Sequence, residues 1–596
     1  MTKFLSHGFW DAVARIILRN RIFILCCVVA ATVALAWQWQ YMRFTYTEAN
    51  LLPRDHEVNL EYDAFLDQFG EEGNLIVFGI QDSTLFEPAV LNRWNALADS
   101  IDSFDEVALS LSLKDLKLLK KEENPSRFEL ESFIRDSVST RAEALQYRKK
   151  LFDSLPFYEG LIYNKKTGTL RTAIYLKKDI VNTAIRKDFI MDDLIPLINR
   201  FEEETGLDVR TSGMPYIRTL NSQSIIDEIG LFVGGALLVT SLIFFFFFRS
   251  YRATFISMIT VIIGVMWAFG LLGLLNYEIT VLTALIPPLI IVIGIPNCIF
   301  LINKYQQEYK KHGNKVKALQ RVITKVGNAT LMTNITTASG FATFILTKSS
   351  LLQEFGTVAS ICIMALFLLC LLIIPIIYSF MTPPKERHLK HLGRTWMDNF
   401  VNWLVKMVQN RRITIYMVSI VALMISMIGI YNIRVSGSLI EDMPKHTGFY
   451  KDIKFFEQEF DGIMPLEILI DTKRKNGVMR LPTLKRMDEL AQTINEIPEL
   501  SKPISIVNLV KYGKQAFYNG NKNYYQLPTS NERNFMMPYV RSFESSAGLL
   551  DSYVDSTGQY ARMTTFMKDI GTDKMELVEQ TLRNKINAEF PEDQYE

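Results

Sequence analysis

The stretch IGLFVGGALLVTSLIFFFFF, residues 229–248, has no charged side chain from end to end. A helix of this length spans the hydrocarbon core of a bilayer, which is roughly 30 Å thick. One similar apolar window precedes it near the amino terminus, four more follow it closely, and another lies nearer the carboxyl terminus. The windows cover residues 22–38, 229–248, 253–275, 279–302, 329–347, 355–380 and 413–431. The sequence therefore predicts a polytopic α-helical membrane protein with seven spans.

Basic residues are concentrated in alternate connectors, at residues 1–21, 249–252, 303–325 and 381–412. The connector at 276–278, by contrast, reads Asn-Tyr-Glu. Short loops rich in Lys and Arg stay on the cytoplasmic side, so we expect a cytoplasmic amino terminus in the inner or plasma membrane. The first window has no small-residue cleavage site after it, which predicts an uncleaved anchor.

The two long polar segments, 42–228 and 432–596, are then extracytoplasmic. Within the first, NLIVFGI (74–80) and LRTAIYL (170–176) have the composition of strands. The stretch RKDFIMDDLIPLINRFEEETG (186–206) has the apolar periodicity of an amphipathic helix that ends at a glycine. Strands alternating with helices predict a compact α/β domain in each segment.

These two segments also resemble each other in sequence. RNRIFIL, from residue 19, is matched by QNRRITIY, from residue 409. TGTLRTAIYLKKD, from residue 167, is matched by TGQYARMTTFMKD, from residue 557. The residues that align 391 positions apart are Pro53 with Pro444, Phe65 with Phe456 and Phe69 with Phe460. A register kept over such a length predicts a tandem duplication.

On this alignment, the second copy stops before the equivalent of the strand that follows Leu207. The sequence thus predicts a fragment whose second half is incomplete, with a naturally short protein as the alternative.

Four motifs follow in a fixed order. They are TSGMPYIR (211–218), IVIGIPNCIFLINKYQQEY (291–309), TNITTASGFATF (333–344) and EFGTVASICI (354–363). They are similar to the bend before the second span and to the fourth-, fifth- and sixth-span signatures of the resistance-nodulation-division (RND) superfamily. The chain most closely resembles its MMPL-type and sterol-sensing-domain-like exporters, over essentially its whole length.

The resemblance implies a secondary transporter that exports a lipid or another hydrophobic or amphipathic compound, driven by the proton-motive force. Its extracytoplasmic domains would be ferredoxin-like porter domains. Membrane lipids, a homo-oligomer and periplasmic accessory proteins are the partners that it implies. The predicted order is a cytoplasmic amphipathic segment 1–21, span one 22–41, porter domain one 42–228, spans two to six 229–380, a cytoplasmic connector 381–412, span seven 413–431 and porter domain two 432–596.

The family commonly places an aspartate for proton relay in span four, and here Pro296 aligns with it. Prolines and Asn297 interrupt this span, while small and hydroxyl residues mark span five. The candidate site residues are Gly294, Pro296, Asn297, Thr333, Asn334, Thr336, Thr337 and Gly340. Thr333, Thr336, Thr337 and Gly340 share one helical face, with Asn334 offset by about 100°. Helix packing, a water or ion pathway completed by the other half, and a self-contained ion site are the three interpretations.

Enzyme chemistry is not predicted. The chain has no phosphate-binding G-x-x-x-x-G-K-[ST] motif and no paired Cys/His spacing for zinc, so we expect no catalytic residue, metal or cofactor. A net charge of +2 gives no sign of a nucleic-acid partner. Two alternatives to an exporter are a sterol-sensing-domain-like sensor or receptor and a protein-translocation accessory of the SecD and SecF type.

Overall fold

The computed structural model describes residues 7–44, 55–69, 73–123, 126–134, 137–248, 250–383, 395–433, 436–438, 443, 445–533, 535–536, 539, 553–591 and 594–595. Pro53 and Pro444 of the repeat alignment lie outside the described residues, as do 384–394 of the predicted connector. The chain divides into two compact units, Met1–Asn59 with Ser222–Ile433, and Leu60–Asn221 with Arg434–Glu596.

The helices, in chain order, are α1 (His7–Arg19), α2 (Arg21–Trp37), α3 (Glu57–Phe69), α4 (Pro88–Asp102), α5 (Arg141–Ser154), α6 (Ala184–Asp188), α7 (Ile195–Thr205), α8 (Met214–Phe248), α9 (Tyr251–Leu274), α10 (Val281–Ala284), α11 (Ile286–His312), α12 (Lys315–Ala342), α13 (Ser350–Phe380), α14 (Thr395–Asn410), α15 (Arg412–Tyr431), α16 (Gly448–Glu459), α17 (Leu481–Asn495), α18 (Ile506–Phe517) and α19 (Thr572–Glu589). The strands are β1 (Arg43–Phe44), β2 (Leu75–Ile80), β3 (Val107–Leu111), β4 (Lys117–Glu123), β5 (Ser126–Ser132), β6 (Leu170–Leu176), β7 (Arg210–Ser212), β8 (Glu278–Ile279), β9 (Met464–Asp471), β10 (Ile504–Ser505) and β11 (Tyr560–Met567).

Six helical stretches of the described chain are long and apolar enough to cross a membrane. They are Arg21–Tyr41, Met214–Phe248, Tyr251–Leu274, Val281–His312, Ser350–Phe380 and Arg412–Tyr431. The fifth predicted window, 329–347, is not among them. Its residues 329–342 lie in α12, where Asn334 and the neighbouring threonines lower the hydropathy, and α12 ends at Ala342. The segment is nevertheless a helix of the bundle, because Val322, Val326 and Ala338 are buried in its core.

The bundle packs through close approaches between helix backbones. Gly270 and Gly273 of α9 lie against the backbone of the first span, and a Cβ at either would fall within 2.5 Å of the carbonyl oxygen of Leu35 or Gln38. The Trp267 indole donates to the Thr32 hydroxyl across the same contact, at 2.9 Å. Small residues with an added interhelical hydrogen bond are the usual means of helix association in lipid.

The predicted strands and helix of the first polar segment are confirmed. The stretches at 74–80 and 170–176 form β2 and β6. The stretch at 186–206 forms α6 and α7, joined by a π-helical turn at Phe189–Leu194. Pro196 has no backbone N–H to donate, which accounts for the irregular turn just before it. Gly206 ends the helix in the left-handed conformation, with φ at 70°.

In the second unit, β2, β3, β6 and β7 form an antiparallel sheet in the order β3-β6-β2-β7. Helices follow its first and third strands along the chain, which is the ferredoxin-like connectivity. A second antiparallel sheet has the order β10-β11-β9.

The two sheets share a register. Leu75 pairs with Tyr175 in the first, and Leu466 pairs with Thr565 in the second. The members of the second pair lie 391 and 390 positions after those of the first.

Helix α16, which precedes β9 in the chain, packs on the first sheet. Phe456 of this helix and Phe460, the residue that follows it, are buried against Val77 and Ala173. The Arg171 guanidinium of the first sheet lies 4.2 Å from the centre of the Phe460 ring. A related contact runs the other way, with the Arg562 guanidinium of the second sheet 5.5 Å from the Phe65 ring of α3. In each half of this unit, an aromatic ring from within or just after a helix therefore lies on a basic residue of the other half's sheet.

Candidate functional site

Asn297 of α11 and Asn334 of α12 form a reciprocal pair of hydrogen bonds. Asn297 Nδ2 donates to Asn334 Oδ1 at 3.0 Å, and Asn334 Nδ2 donates to Asn297 Oδ1 at 2.9 Å. Asn334 Nδ2 also donates to the Thr330 carbonyl oxygen at 2.7 Å. The two side chains are only 5% and 2% exposed. We call these two residues the amide pair.

The amide pair has a plain physical consequence. Each side chain supplies the donor and the acceptor that the other needs, so neither amide is left unpaired in an apolar interior. An unsatisfied buried polar group costs about 1–3 kcal/mol. An asparagine carries no charge at either extreme of physiological pH, so this contact binds and releases no proton. Of the two helices' candidate residues, these are the two that the structure brings together.

Gly294 and Pro296 lie elsewhere on α11. A Cβ on Gly294 would fall 2.9 Å from Val261 Cγ2 of α9 and 3.5 Å from Leu366 Cδ2 of α13. Gly294 therefore permits close packing with those two helices rather than contact with α12. Pro296 lies inside α11, and its ring is on the exposed side of the helix.

The predicted polar face of α12 does not meet α11. Thr333 and Thr336 are exposed, and Thr337 is half-buried. Each of these hydroxyls donates to the carbonyl four residues earlier, at 2.8–3.0 Å. Gly340 is exposed, with no atom within 4 Å of the place a Cβ would occupy. This face therefore forms no polar cluster with Asn297 in the described residues, because the stripe of α12 that packs in the bundle is the one offset from it.

The packed stripe consists of Val326, Thr330, Asn334 and Ala338, each four residues after the last. This spacing places them on one side of a helix. The same spacing was present in the sequence, and it would have selected Asn334 alone of the span-five candidates. The neighbouring threonine hydroxyls form a more conspicuous pattern in the sequence, but they lie on the outer face of α12.

Sequence reasoning missed a buried carboxylate. The basic connector 303–325 consists of the ends of α11 and α12, joined by a short turn at Gly313 and Asn314. The Glu308 side chain is 1% exposed. Four basic side chains surround it, with nitrogen-to-oxygen distances of 3.0 Å for Lys325, 3.3 Å for Arg321, 3.6 Å for His312 and 3.7 Å for Lys304. We call this group the Glu308 cluster.

Further basic side chains gather at the carboxyl end of α13. Lys315 Nζ donates to the carbonyl oxygens of Ser379 and Met381, both at 2.6 Å. Arg21 donates to the Ser379 hydroxyl at 3.3 Å, and Arg252 donates to the Thr382 hydroxyl at 3.0 Å. Cations at a helix carboxyl terminus are favoured by the helix dipole. The starts of α2, α9 and α12 therefore meet the end of α13 at one basic end of the bundle.

The apolar helices and their packing define a multi-pass helical membrane protein. Residues 186–408 match the model of the MMPL family. This stretch includes α11 and α12 with the amide pair, and it confirms the resemblance to RND and MMPL permeases that the motifs indicated.

Two relatives support the same class. A putative membrane protein of Methanocaldococcus jannaschii is 28% identical over 209 residues, which are 34% of this chain and 51% of that protein. An apo-petrobactin exporter of Bacillus anthracis is 24% identical over 361 residues, 54% of this chain and 46% of that protein. The chain spans about half the length of the curated relatives that it matches. These findings support a transporter of the RND and MMPL kind.

Proposed function

We propose that the chain is part of an RND-type exporter that moves a lipid or another amphipathic compound out of the cell. The observation that carries this proposal is the MMPL match across the helical bundle, together with a relative named as an exporter over 54% of the chain. That relative's name gives apo-petrobactin as its cargo. Apo-petrobactin is therefore one compound to test as a substrate, beside lipids.

The second unit supports a role for two porter domains. Its sheets share strand connectivity and register at the offset of the sequence repeat. The exchanged aromatic contacts at Phe460 and Phe65 are what a duplicated pair of domains related by a pseudo-twofold would give. We propose a tandem duplication, with residues 42–228 and 432–596 as porter domains on the extracytoplasmic side. A homo-oligomer and accessory proteins remain predictions from the family resemblance.

The proposed orientation has a cytoplasmic amino terminus. It is supported by the basic end of the bundle, where Arg21, Arg252 and Lys315, from three of the four basic segments of the sequence, meet the end of α13. Positive residues are retained on the cytoplasmic side during insertion.

We further propose that export uses the proton-motive force, with the titrating group outside the amide pair. The pair holds two neutral amides, one of them next to Pro296, which aligns with the family's relay aspartate, so it can keep α11 and α12 in register without moving a proton. This favours the interpretation of the amide pair as a packing contact over a self-contained ion site.

A second candidate function is a sterol-sensing-domain-like sensor. The observation that favours it is the same uncharged α11–α12 contact, since a sensor needs no proton relay. A sensor would change the abundance of other proteins in response to a lipid, without itself redistributing that lipid across the membrane.

Deletion of the gene in its native host separates these functions. If the protein is an exporter, mass spectrometry should find an amphipathic compound raised in the cells and lowered in the medium, and full-length protein should restore both. An unchanged distribution with altered protein levels would favour the sensor. Adding a protonophore to the complemented strain tests the energy source alone, because export that continues without a proton gradient contradicts proton coupling but not export.

A further inference from the structure

A groove opens between α8 and α9 at the basic end of the bundle. Its volume is about 460 Å³, and it is lined by Ser241, Tyr251, Arg252, Thr254, Phe255 and Met258. We call it the α8–α9 groove. Tyr251 and Phe255 are 78% and 67% exposed, so the groove faces outward from the bundle, where lipid surrounds a membrane protein.

The groove has a charged mouth and an apolar interior. Arg252 lies in the first turn of α9, while Met258 lies about 9 Å further along the axis, given a rise of 1.5 Å per residue. Ser241 is at a similar depth on the opposite wall, about 10 Å before the end of α8. Tyr251 closes one side of the mouth, its ring 4.7 Å from that of Phe245. One charge at the surface and an apolar slot beneath it match an amphiphile that stands along the membrane normal.

The charge of the mouth selects among amphiphiles. Within the described part of the chain, the guanidinium of Arg252 has a hydrogen bond to one neutral partner, the Thr382 hydroxyl. A guanidinium has five N–H donors in a geometry that suits phosphate oxygens. Arg21 and Lys315 at the same end of α13 add to the positive potential there. Basic pockets between membrane helices bind anionic headgroups in this way.

We propose that the α8–α9 groove binds one anionic phospholipid, with its phosphate at Arg252 and one acyl chain between α8 and α9. This site is independent of the proposed export function, because it lies on the outer surface of the bundle and needs no transported substrate. In the proposed orientation the lipid belongs to the cytoplasmic leaflet.

The test uses the full-length protein in nanodiscs with two photoreactive lipids that carry the same diazirine acyl chain, phosphatidylglycerol and phosphatidylcholine. Mass spectrometry of the crosslinked peptides should place phosphatidylglycerol on residues 251–258 about fivefold more than phosphatidylcholine, which is the effect of one basic residue near the surface. Equal labelling by the two lipids means an annular lipid only and overturns the proposal.

Variants locate the two parts of the site. Arg252→Gln should remove the preference for phosphatidylglycerol. Lys311→Gln, which changes an exposed cation in the last turn of α11, should leave the preference unchanged. Ser241→Phe should fill the groove and lower labelling by both lipids. If Arg252→Gln keeps the preference, the phosphate is not at Arg252 and the proposal fails. The wild-type ratio of the two lipids remains a test even if a variant does not fold.

Discussion

Helices α11 and α12 contact each other through polar groups at two levels, and the two contacts are built differently. Midway along the helices the amide pair joins two neutral side chains, Asn297 and Asn334. At the end of the helices, Glu308 places a buried carboxylate among four basic side chains. The amide pair contains no ionisable group, whereas every side chain of the Glu308 cluster is ionisable.

The difference follows from access to water. The basic side chains of the Glu308 cluster are 27–47% exposed, so their charged ends keep contact with solvent while they reach the buried carboxylate. Near the centre of a bilayer a charged side chain has no solvent to contact. An aspartate there costs about 2.5–3.5 kcal/mol on insertion scales. The two helices are thus held by hydrogen bonds where water is excluded and by charge where water is near.

The largest effect should come from placing a charge in the amide pair. Asn297→Asp keeps the shape of the side chain, but its ionised form is buried against the Asn334 amide. We expect the free energy of unfolding to fall by about 3 kcal/mol as the pH rises from acidic to alkaline and the carboxyl ionises. Unfolding of the full-length protein in mixed micelles, measured over a pH series, should show this slope.

Asn314→Asp is the matched control. Asn314 caps the start of α12 in an exposed position, where its side chain accepts from Lys317 N at 3.1 Å, and aspartate caps equally well. Its stability should change little with pH. If Asn297→Asp proves equally insensitive, the amide pair is hydrated, and a water pathway becomes the better interpretation of the site.

A smaller loss should follow from removing charge from the Glu308 cluster. Glu308→Gln keeps a polar side chain but leaves Lys304, Arg321 and Lys325 without their counter-charge. We expect the free energy of unfolding to fall by about 1–3 kcal/mol. This loss is smaller than that for breaking a fully buried ion pair, because the cations are partly solvated.

The double variant Glu308→Gln with Lys325→Gln should recover part of that loss, since it removes one of the uncompensated cations. Lys310→Gln, which changes an exposed cation in the last turn of α11, serves as the control. A double variant no more stable than Glu308→Gln alone would mean that Lys325 and the carboxylate do not interact.

Hydropathy predicted most of the membrane architecture but not its polar contacts. Six of the seven predicted windows are long apolar helices, because a run of apolar residues reports lipid exposure directly. Composition alone does not show which face of α12 packs in the bundle. The threonine hydroxyls donate to carbonyl oxygens of their own helix, so these residues can lie on the outer face. The burial of Glu308 could not be predicted from the sequence, because a single acidic residue among many lysines is buried only when α11 and α12 pack together.

A further, smaller effect should separate the hydrogen bonds of the amide pair from its packing. Asn297→Leu leaves Asn334 Oδ1 without its donor, while Asn334 Nδ2 keeps the Thr330 carbonyl, and we expect a loss of about 1 kcal/mol. Adding Asn334→Leu should restore part of it, because both polar groups are then gone. A double-mutant cycle on unfolding measures the coupling.

Export by Asn297→Leu at normal expression then tests the function of the pair. Unchanged export with reduced stability is the outcome expected of a packing contact. Export lost at unchanged stability would instead assign the pair a direct part in transport.

The smallest effect should come from a carboxylate outside the six apolar helical stretches, which accepts a hydrogen bond from an arginine. Asp452 of α16 accepts from Arg210 Nη1 of β7 at 3.1 Å, and burial outweighs this arginine, so the pKa of Asp452 is raised. The folded state therefore holds this proton more tightly than the unfolded chain does. Its contribution to stability is greatest below the unfolded pKa and is lost as the pH rises through the folded one.

Asp452→Asn removes this titration while keeping the shape of the side chain. At neutral pH it should change the free energy of unfolding by less than about 1 kcal/mol, because ionic pairing and burial nearly cancel there. As the pH falls towards the ordinary range of an aspartate, the wild type should gain stability over the variant. If acidification instead lowers the stability of the wild type relative to the variant, the charge of Arg210 outweighs burial. This contact would then resemble the Glu308 cluster.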